Sequence, residues 1–206
     1  MKLGRPRKRR KSYRMLLCGT TSGCGVTTVA ISVANYLRSC EKRKVCYMEF
    51  RKESKLVKLG TEGIIRKGVP GFRMLDLDVF QVNYRDMMDL FQLPYDVFVI
   101  DADSSWEEFW EHSDTLFSTD KQLILGQYEP WRYGEVQLFM KHLIQRNIDI
   151  KSGDFYGLHL DQKGQLHFRE EFHARVRAVP EIRNPFLLDR SIRKWIGDLL
   201  KYCETY

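Results

Sequence analysis

The residues best placed for chemistry are Gly23, Gly25, Thr27 and Thr28, in the stretch Met15–Leu37. An apolar run, Arg14–Gly19, precedes them, and apolar residues at helical spacing (Val26, Val29, Ala30, Val33, Ala34, Leu37) follow. A strand, a glycine-rich turn and a helix in that order form an anion site, because backbone N–H groups and the positive helix end converge on one spot. Glycine lets the backbone approach a phosphate closely, and a hydroxyl at the helix start can ligand Mg²⁺. The segment "YDVFVID", Tyr95–Asp101, is apolar on both faces and ends in an acid, as a central parallel strand does. Thr27 and Thr28 stand at the helix start and could supply that hydroxyl. The same glycines would also serve a tight turn that binds nothing.

Those residues need elements to hold them. Lys44–Phe50 reads as a second strand, Tyr84–Phe91 as a helix, and "KQLILGQ", Lys121–Gln127, as a further strand. Arg51–Gly71 is broken by Gly60, Gly63, Gly68 and Gly71 and reads as loops and short elements. Ser104–His112 opens a helix, with Ser105 and Glu108 in capping-box register. Pro130–Asn147 is a helix, and Phe155–Leu160 and Leu166–Arg169 flank a hairpin-like turn, "DQKG". Arg175–Val179 is a last strand, and Asp189 caps a final helix to Tyr202. Strands alternating with helices predict an α/β fold with a mostly parallel sheet flanked by helices.

The bulk numbers agree with one domain. The chain has 206 residues, 43% of them hydrophobic, within the range of a single core. Its formal charge of +7 is unevenly placed. Lys2, Arg5, Arg7, Lys8, Arg9, Arg10, Lys11 and Arg14 stand together without an acid, so the rest is close to neutral. The division predicted is a basic, disordered tail over 1–13 and a single domain over 14–206. The five cysteines form no CxxC pair, which points to a reducing compartment rather than a disulfide framework. No run of about 18 apolar residues predicts a membrane span, and the histidines have no metal-ligand spacing.

At the loop the chain resembles the MinD/ParA family of P-loop ATPases, whose deviant Walker A motif reads K-G-G-x-G-K-T-T. Here the aligned residues are Thr21, Ser22, Gly23, Cys24, Gly25, Val26, Thr27 and Thr28. "AISVANYL" looks like the family's first helix, and "YDVFVIDAD" and "VPEIRN" (Val179–Asn184) also match. The resemblance spans most of the chain from Arg14 onward. It implies a P-loop NTPase-like fold and nucleotide binding by residues 21–28, with Pro180 on the adenine side. It further implies ATP or ADP with Mg²⁺ as cofactor, with Thr27 and Asp101 at the family's metal-binding positions, and a protein partner or homodimer.

The departures are chemical. Thr21 replaces the family's signature lysine, and Val26 replaces the P-loop lysine that meets the β- and γ-phosphates. The family's second strand ends D-x-D, the second Asp positioning the attacking water; here Glu49 and Arg51 take those places. Removing one electrostatic contact to a transition state typically costs on the order of 10²–10³ in rate. The expectation is weak nucleotide binding, negligible hydrolysis, and no residue with a catalytic role. Within the family, TadZ/CpaE-type proteins also have atypical loops and position pilus or secretion machinery, which implies a spatial-organising scaffold in the bacterial cytoplasm or at the inner membrane face. No receiver-like domain like the one that precedes the loop in those proteins is expected before Arg14, so the resemblance implies that role only loosely. Two alternatives stay open: an active ATPase with unusual phosphate contacts, and a DNA-associated partition or regulatory protein.

The last reading rests on the tail. "GRPRKRRK" contains a Gly-Arg-Pro core like that of an AT-hook, a motif laid into the minor groove. Arg5, Arg7, Lys8, Arg9, Arg10 and Lys11 are the candidates for nucleic acid or anionic lipid. Trp106 and Trp110 lie one helical turn apart just after Asp101 and are candidates for an interface, although most such stripes are core. The apolar face Ile192, Trp195, Ile196, Leu199 and Leu200 suits a packed closing helix better than a membrane-binding one.

Overall fold

The structure, a computed structural model, describes residues 12–149, 154–158, 160 and 162–201. The basic residues of the tail, Arg5 through Lys11, lie outside the described residues, as do Tyr202 and Cys203.

Among the described residues nine strands form one sheet. The elements are β1 (Tyr13–Gly19), α1 (Val26–Ser39), β2 (Val45–Phe50), β3 (Glu62–Arg66), β4 (Val69–Met74), β5 (Leu77–Val82), α2 (Tyr84–Leu90) and β6 (Val97–Ala102). After them come α3 (Glu107–Glu111), α4 (Ser113–Phe117), β7 (Lys121–Gly126), α5 (Tyr133–Gln145), β8 (Asp154–Gly157), α6 (Gln162–Phe172), β9 (Val176–Ala178) and α7 (Arg190–Lys201). The order across the sheet is β3-β4-β5-β2-β6-β1-β7-β8-β9. Every pairing from β5 to β9 is parallel, and β3 and β4 extend one side as antiparallel strands. This is the expected α/β, P-loop NTPase-like architecture.

Side-chain alternation along the strands divides the core in two. Met15 and Leu17 of β1, Tyr47 of β2 and Val97 and Val99 of β6 pack under α1 and α7. Leu16, Cys18, Met48, Phe50, Phe98 and Ile100 pack on the other face, with Phe109, Leu116 and Phe139. All residues of β2 and β6 are buried, the signature of central parallel strands covered on both sides. Ile192, Ile196 and Leu199 of α7 are buried in the first of these cores. Its amphipathic pattern therefore serves packing, and Asp189 Oδ1 caps it by accepting the Ile192 N–H at 2.9 Å. Among the described residues no helix is long and apolar enough to cross a membrane.

Two expectations are corrected and one is made specific. The short elements within Arg51–Gly71 are β3 and the start of β4, while β5 beyond it escaped the sequence reading. Lys67 and Gly68 have φ of 53° and 81°, and Leu75 and Asp76 have 50° and 59°. Paired positive φ values make two-residue turns of the kind that suit hairpins, here without the usual Asn-Gly signal. Gly71 acts as a packing residue rather than a breaker, since a Cβ there would lie 2.5 Å from the Phe80 ring.

The "DQKG" hairpin is not formed. β8 and β9 are parallel, so a crossover must join them; α6 supplies it and contains Leu166–Arg169. Gly164 belongs to that helix, and a Cβ on it would lie 2.1 Å from the Tyr128 carbonyl oxygen. The capping box at Ser105 is also absent. Trp106 is the N-cap of α3, the Ser105 hydroxyl donates to Asp103 at 2.7 Å, and Glu108 accepts the Tyr84 N–H at 2.7 Å, tying α2 to α3.

Candidate functional site

β1 and β6 are adjacent and parallel, with Leu17 opposite Asp101 and Cys18 opposite Ala102. The loop leaving β1 and the acid ending β6 thus emerge side by side, beyond the carboxyl ends of the strands, where open α/β sheets bind ligands. Gly23 and Gly25 have φ of 83° and 82°, a region that glycine enters at little cost. The turn hands over to α1 at Gly25, with no side-chain cap and no acid in the first turn. The first amides of α1 are therefore left by side-chain caps and face the loop as anion donors.

Cys24 is buried and its thiol donates to the Thr21 carbonyl at 2.9 Å. Burial raises its pKa, with backbone hydrogen bonds opposing. It is a neutral staple inside the turn rather than a nucleophile. The Ser104 hydroxyl, from the loop after β6, donates to the Gly19 carbonyl and holds the two strand ends together. A cavity of about 270 Å³ lies over the turn, lined by Gly19, residues 21–28, Arg51, Lys55, Ala102, Asp103 and Ser104. The predicted loop residues Thr21, Ser22, Gly23, Cys24, Gly25, Val26, Thr27 and Thr28 thus come together on one wall.

The centre of the site is ionic. Arg51, just past the end of β2, is 3% exposed, and Asp101 and Glu49 are fully buried. Arg51 Nη2 lies 2.5 Å from Asp101 Oδ1, 3.5 Å from the Asp101 carbonyl oxygen and 3.4 Å from Thr27 Oγ1. Its Nε is 3.7 Å from Glu49 Oε1. The Tyr47 hydroxyl donates to Asp101 Oδ2 at 2.9 Å. Burial raises the Asp101 pKa, and the Arg51 charge and the Thr27 and Tyr47 hydrogen bonds oppose that shift. Burial likewise raises Glu49, opposed by hydrogen bonds from Ser54 and the Lys55 amide, and pushes the Tyr47 hydroxyl well above its ordinary value.

Glu49 also shapes the segment that carries the cations. It accepts the Ser54 hydroxyl and the Lys55 N–H at 2.9 Å, folding residues 51–55 back over the sheet edge. Gln81 of β5 donates to the Lys52 carbonyl at 2.6 Å. Lys55 is exposed and its side chain lines the loop cavity. The sequence reading missed it. The available signal was a lysine shortly after the second strand, in a chain whose loop has none.

The expected Mg²⁺ site fits this arrangement poorly. Mg²⁺ demands near-octahedral oxygen coordination. Here Asp101 gives one oxygen to Arg51 and the other to Tyr47, and Arg51 also reaches Thr27. Among the described residues no group of three His, Cys, Asp or Glu could hold a metal. A phosphate fits better, since the turn at the start of α1 has two cations beside it.

The remaining candidates sit elsewhere. Pro180 follows β9 and is half-buried, but it does not line the loop cavity. Val179 before it donates its N–H to the Gly157 carbonyl at 2.9 Å. Trp106 packs on Phe50 with ring centroids 5.0 Å apart. Trp110 packs on Phe139 at 5.2 Å and donates its indole N–H to the Ser104 carbonyl at 2.9 Å. Both rings are half-buried, and these contacts anchor the segment after β6 to the second core.

No protein-family model matches the chain, and no curated protein matches it in sequence. Solved structures do match in fold. MinD from the MinC:MinD cell division complex of Aquifex aeolicus superposes with a TM-score of 0.65 at 12% identity, covering 92% of this chain and 96% of that one. A plasmid partition protein of Borrelia burgdorferi, bound to AMPPNP, gives 0.60 at 15% identity, with 93% and 98% covered. A ParA family ATPase from Chlorobium tepidum gives 0.58 at 11% identity, with 96% and 94% covered. At these identities the likeness is one of fold.

Proposed function

We propose that this chain is a MinD/ParA-like P-loop protein that binds a nucleotide weakly, hydrolyses it negligibly, and acts as a spatial-organising or assembly scaffold. The observation that carries this reading is a glycine-rich turn at the start of α1, with Arg51 and Lys55 on its cavity, beside a strand-end Asp101 already engaged by Arg51. The turn can receive a phosphate chain through backbone N–H groups and the Thr27 and Thr28 hydroxyls. The AMPPNP in the Borrelia burgdorferi protein makes an adenine nucleotide the ligand to try first.

Hydrolysis needs more than a cradle. Phosphoryl transfer depends on positioning the attacking water and neutralising the charge that spreads over the phosphoryl oxygens. Val26 is apolar where the resembled loop has its lysine. Arg51 stands where that family has its water-positioning Asp, and a guanidinium cannot accept a proton from water. Losses affecting one step do not simply multiply, but each removes a part that this chemistry uses.

A scaffold role follows from a nucleotide held without turnover: binding then orders a surface rather than driving a cycle. A protein partner, such as pilus or secretion machinery, or a second copy of this chain would read that surface. MinD in complex with MinC is a fold neighbour consistent with a protein partner. Calorimetry with ATP and ADP, followed by a phosphate-release assay, tests the reading. Binding without turnover is expected; steady turnover would instead establish an active ATPase with unusual phosphate contacts.

The tail favours a second reading, attachment to DNA or to anionic membrane through Arg5, Arg7, Lys8, Arg9, Arg10 and Lys11. Cations without intervening acids bind polyanions by counterion release, and each phosphate contact steepens the log–log salt slope by about 0.9 on duplex DNA. Deleting the residues before Ser12 should flatten that slope and leave thermal stability unchanged. Equal binding by both forms would end this reading.

A further inference from the structure

We infer that Arg51 is the resident cation of this site, standing in for a divalent metal between Thr27 and Asp101, so that the loop takes nucleotide phosphate without Mg²⁺. The inference rests on the proposed nucleotide binding for its ligand, and on the geometry for its cation. Glu49 and Asp101 are opposite one another in the β2–β6 register. Arg51, two residues further along, leaves β2 just beyond the end of β6, and its side chain reaches the Asp101 carboxylate. Its guanidinium contacts the carboxylate and the helix-start hydroxyl together, the two groups that the metal expectation named.

Charge and geometry both work against a metal joining it. A divalent ion bound at Asp101 would share its carboxylate with a guanidinium already 2.5 Å away, and like charges at such range repel strongly where water is excluded. Driving Arg51 out would remove the positive charge between two buried carboxylates, Asp101 and Glu49. The segment is also held in place, by Glu49 on the Lys55 amide and by Gln81 on the Lys52 carbonyl. Arg51 is among the residues that line the loop cavity, so its charge lies beside the space where a phosphate would sit. Guanidinium suits phosphate by charge and by its forked donors.

The test uses the whole chain and two titrations. In the first, Mn²⁺ is added to the protein alone and free Mn²⁺ is followed by electron paramagnetic resonance. The wild type should retain no Mn²⁺ through Asp101. Arg51→Ala should gain a site built from Asp101, Glu49 and Thr27, and Arg51→Ala/Asp101→Asn should lose it. In the second, fluorescent ADP and ATP are titrated into the wild type with Mg²⁺ or with EDTA, and the affinities should agree within about threefold, well under the tenfold that 1.4 kcal/mol represents.

Mn²⁺ binding by the wild type that Asp101→Asn abolishes would overturn the inference. So would a folded Arg51→Ala protein that gains no Mn²⁺, or nucleotide binding that EDTA removes. The wild-type titrations decide the matter even where Arg51→Ala fails to fold. Absence of nucleotide binding in both media would sink the proposed function and the metal-free uptake of phosphate, while the Mn²⁺ titration still decides which cation holds Asp101.

Discussion

The hydroxyl of Tyr47 in β2 donates to Oδ2 of Asp101 in β6 at 2.9 Å, with both side chains fully buried. Tyr47→Phe would leave that carboxylate oxygen unpaired away from water. Such a loss costs about 1–3 kcal/mol. Urea unfolding should show a lowered midpoint with an unchanged slope; an unchanged midpoint would mean that Arg51 and Thr27 satisfy Asp101 without Tyr47.

Glu49 provides a pH-dependent test. Burial raises its pKa above the ordinary 4.5, so the folded state disfavours its charge. The associated stability is fully present below 4.5 and lost as pH rises through the raised folded value. Glu49→Gln keeps an acceptor for the Lys55 amide and carries no charge to desolvate. The melting temperature of the wild type relative to this variant should therefore fall as pH rises from 4 to 7. A difference independent of pH would show that Glu49 ionises in the fold as freely as in water.

Gly25 links the turn to the packing above it. Its φ is 82°, and a Cβ there would lie 2.6 Å from Leu158 Cδ1. Gly25→Ala should cost about 1–2 kcal/mol from the left-handed backbone alone, with the Leu158 clash in addition. In a Leu158→Ala background the penalty should shrink without vanishing. Thermal melts of the four proteins measure both parts, and a penalty that disappears in that background would deny the backbone any share.

Val26 and Lys55 bear on the phosphate. Val26→Lys should tighten ADP and ATP binding by restoring a cation at the first residue of α1, without restoring turnover while Arg51 remains. Lys55→Ala should weaken binding by about 3- to 30-fold, as expected for a partly screened contact of about 0.7–2 kcal/mol. Its exposure makes any effect on stability small. Titrations with a fluorescent nucleotide decide both, and unchanged affinity in Lys55→Ala would remove it from the site.

Much of this site was legible in the sequence because it is local. The run Arg14–Gly19, the turn with Gly23 and Gly25, and the helical spacing from Val26 are properties of neighbouring residues, and chain connectivity alone makes them a strand, a tight turn and a helix. Asp101 was legible for a similar reason, at the end of an apolar run that only a doubly covered strand accommodates. The hairpins β3–β4 and β4–β5 were hidden because their turns use Lys67-Gly68 and Leu75-Asp76, in which the positive φ of Lys67, Leu75 and Asp76 is not announced by an Asn-Gly or Asp-Gly pair. What holds Asp101 could come only from the tertiary structure. Arg51 lies 50 residues from Asp101 and Tyr47 lies 54 away. They meet because β2 pairs with β6 in one register, and a shift of one residue would turn Tyr47 to the opposite face. The sequence by itself determined a glycine-rich turn between a strand and a helix, with no lysine in it; the packing of β2 against β6 decided that a guanidinium sits between Thr27 and Asp101.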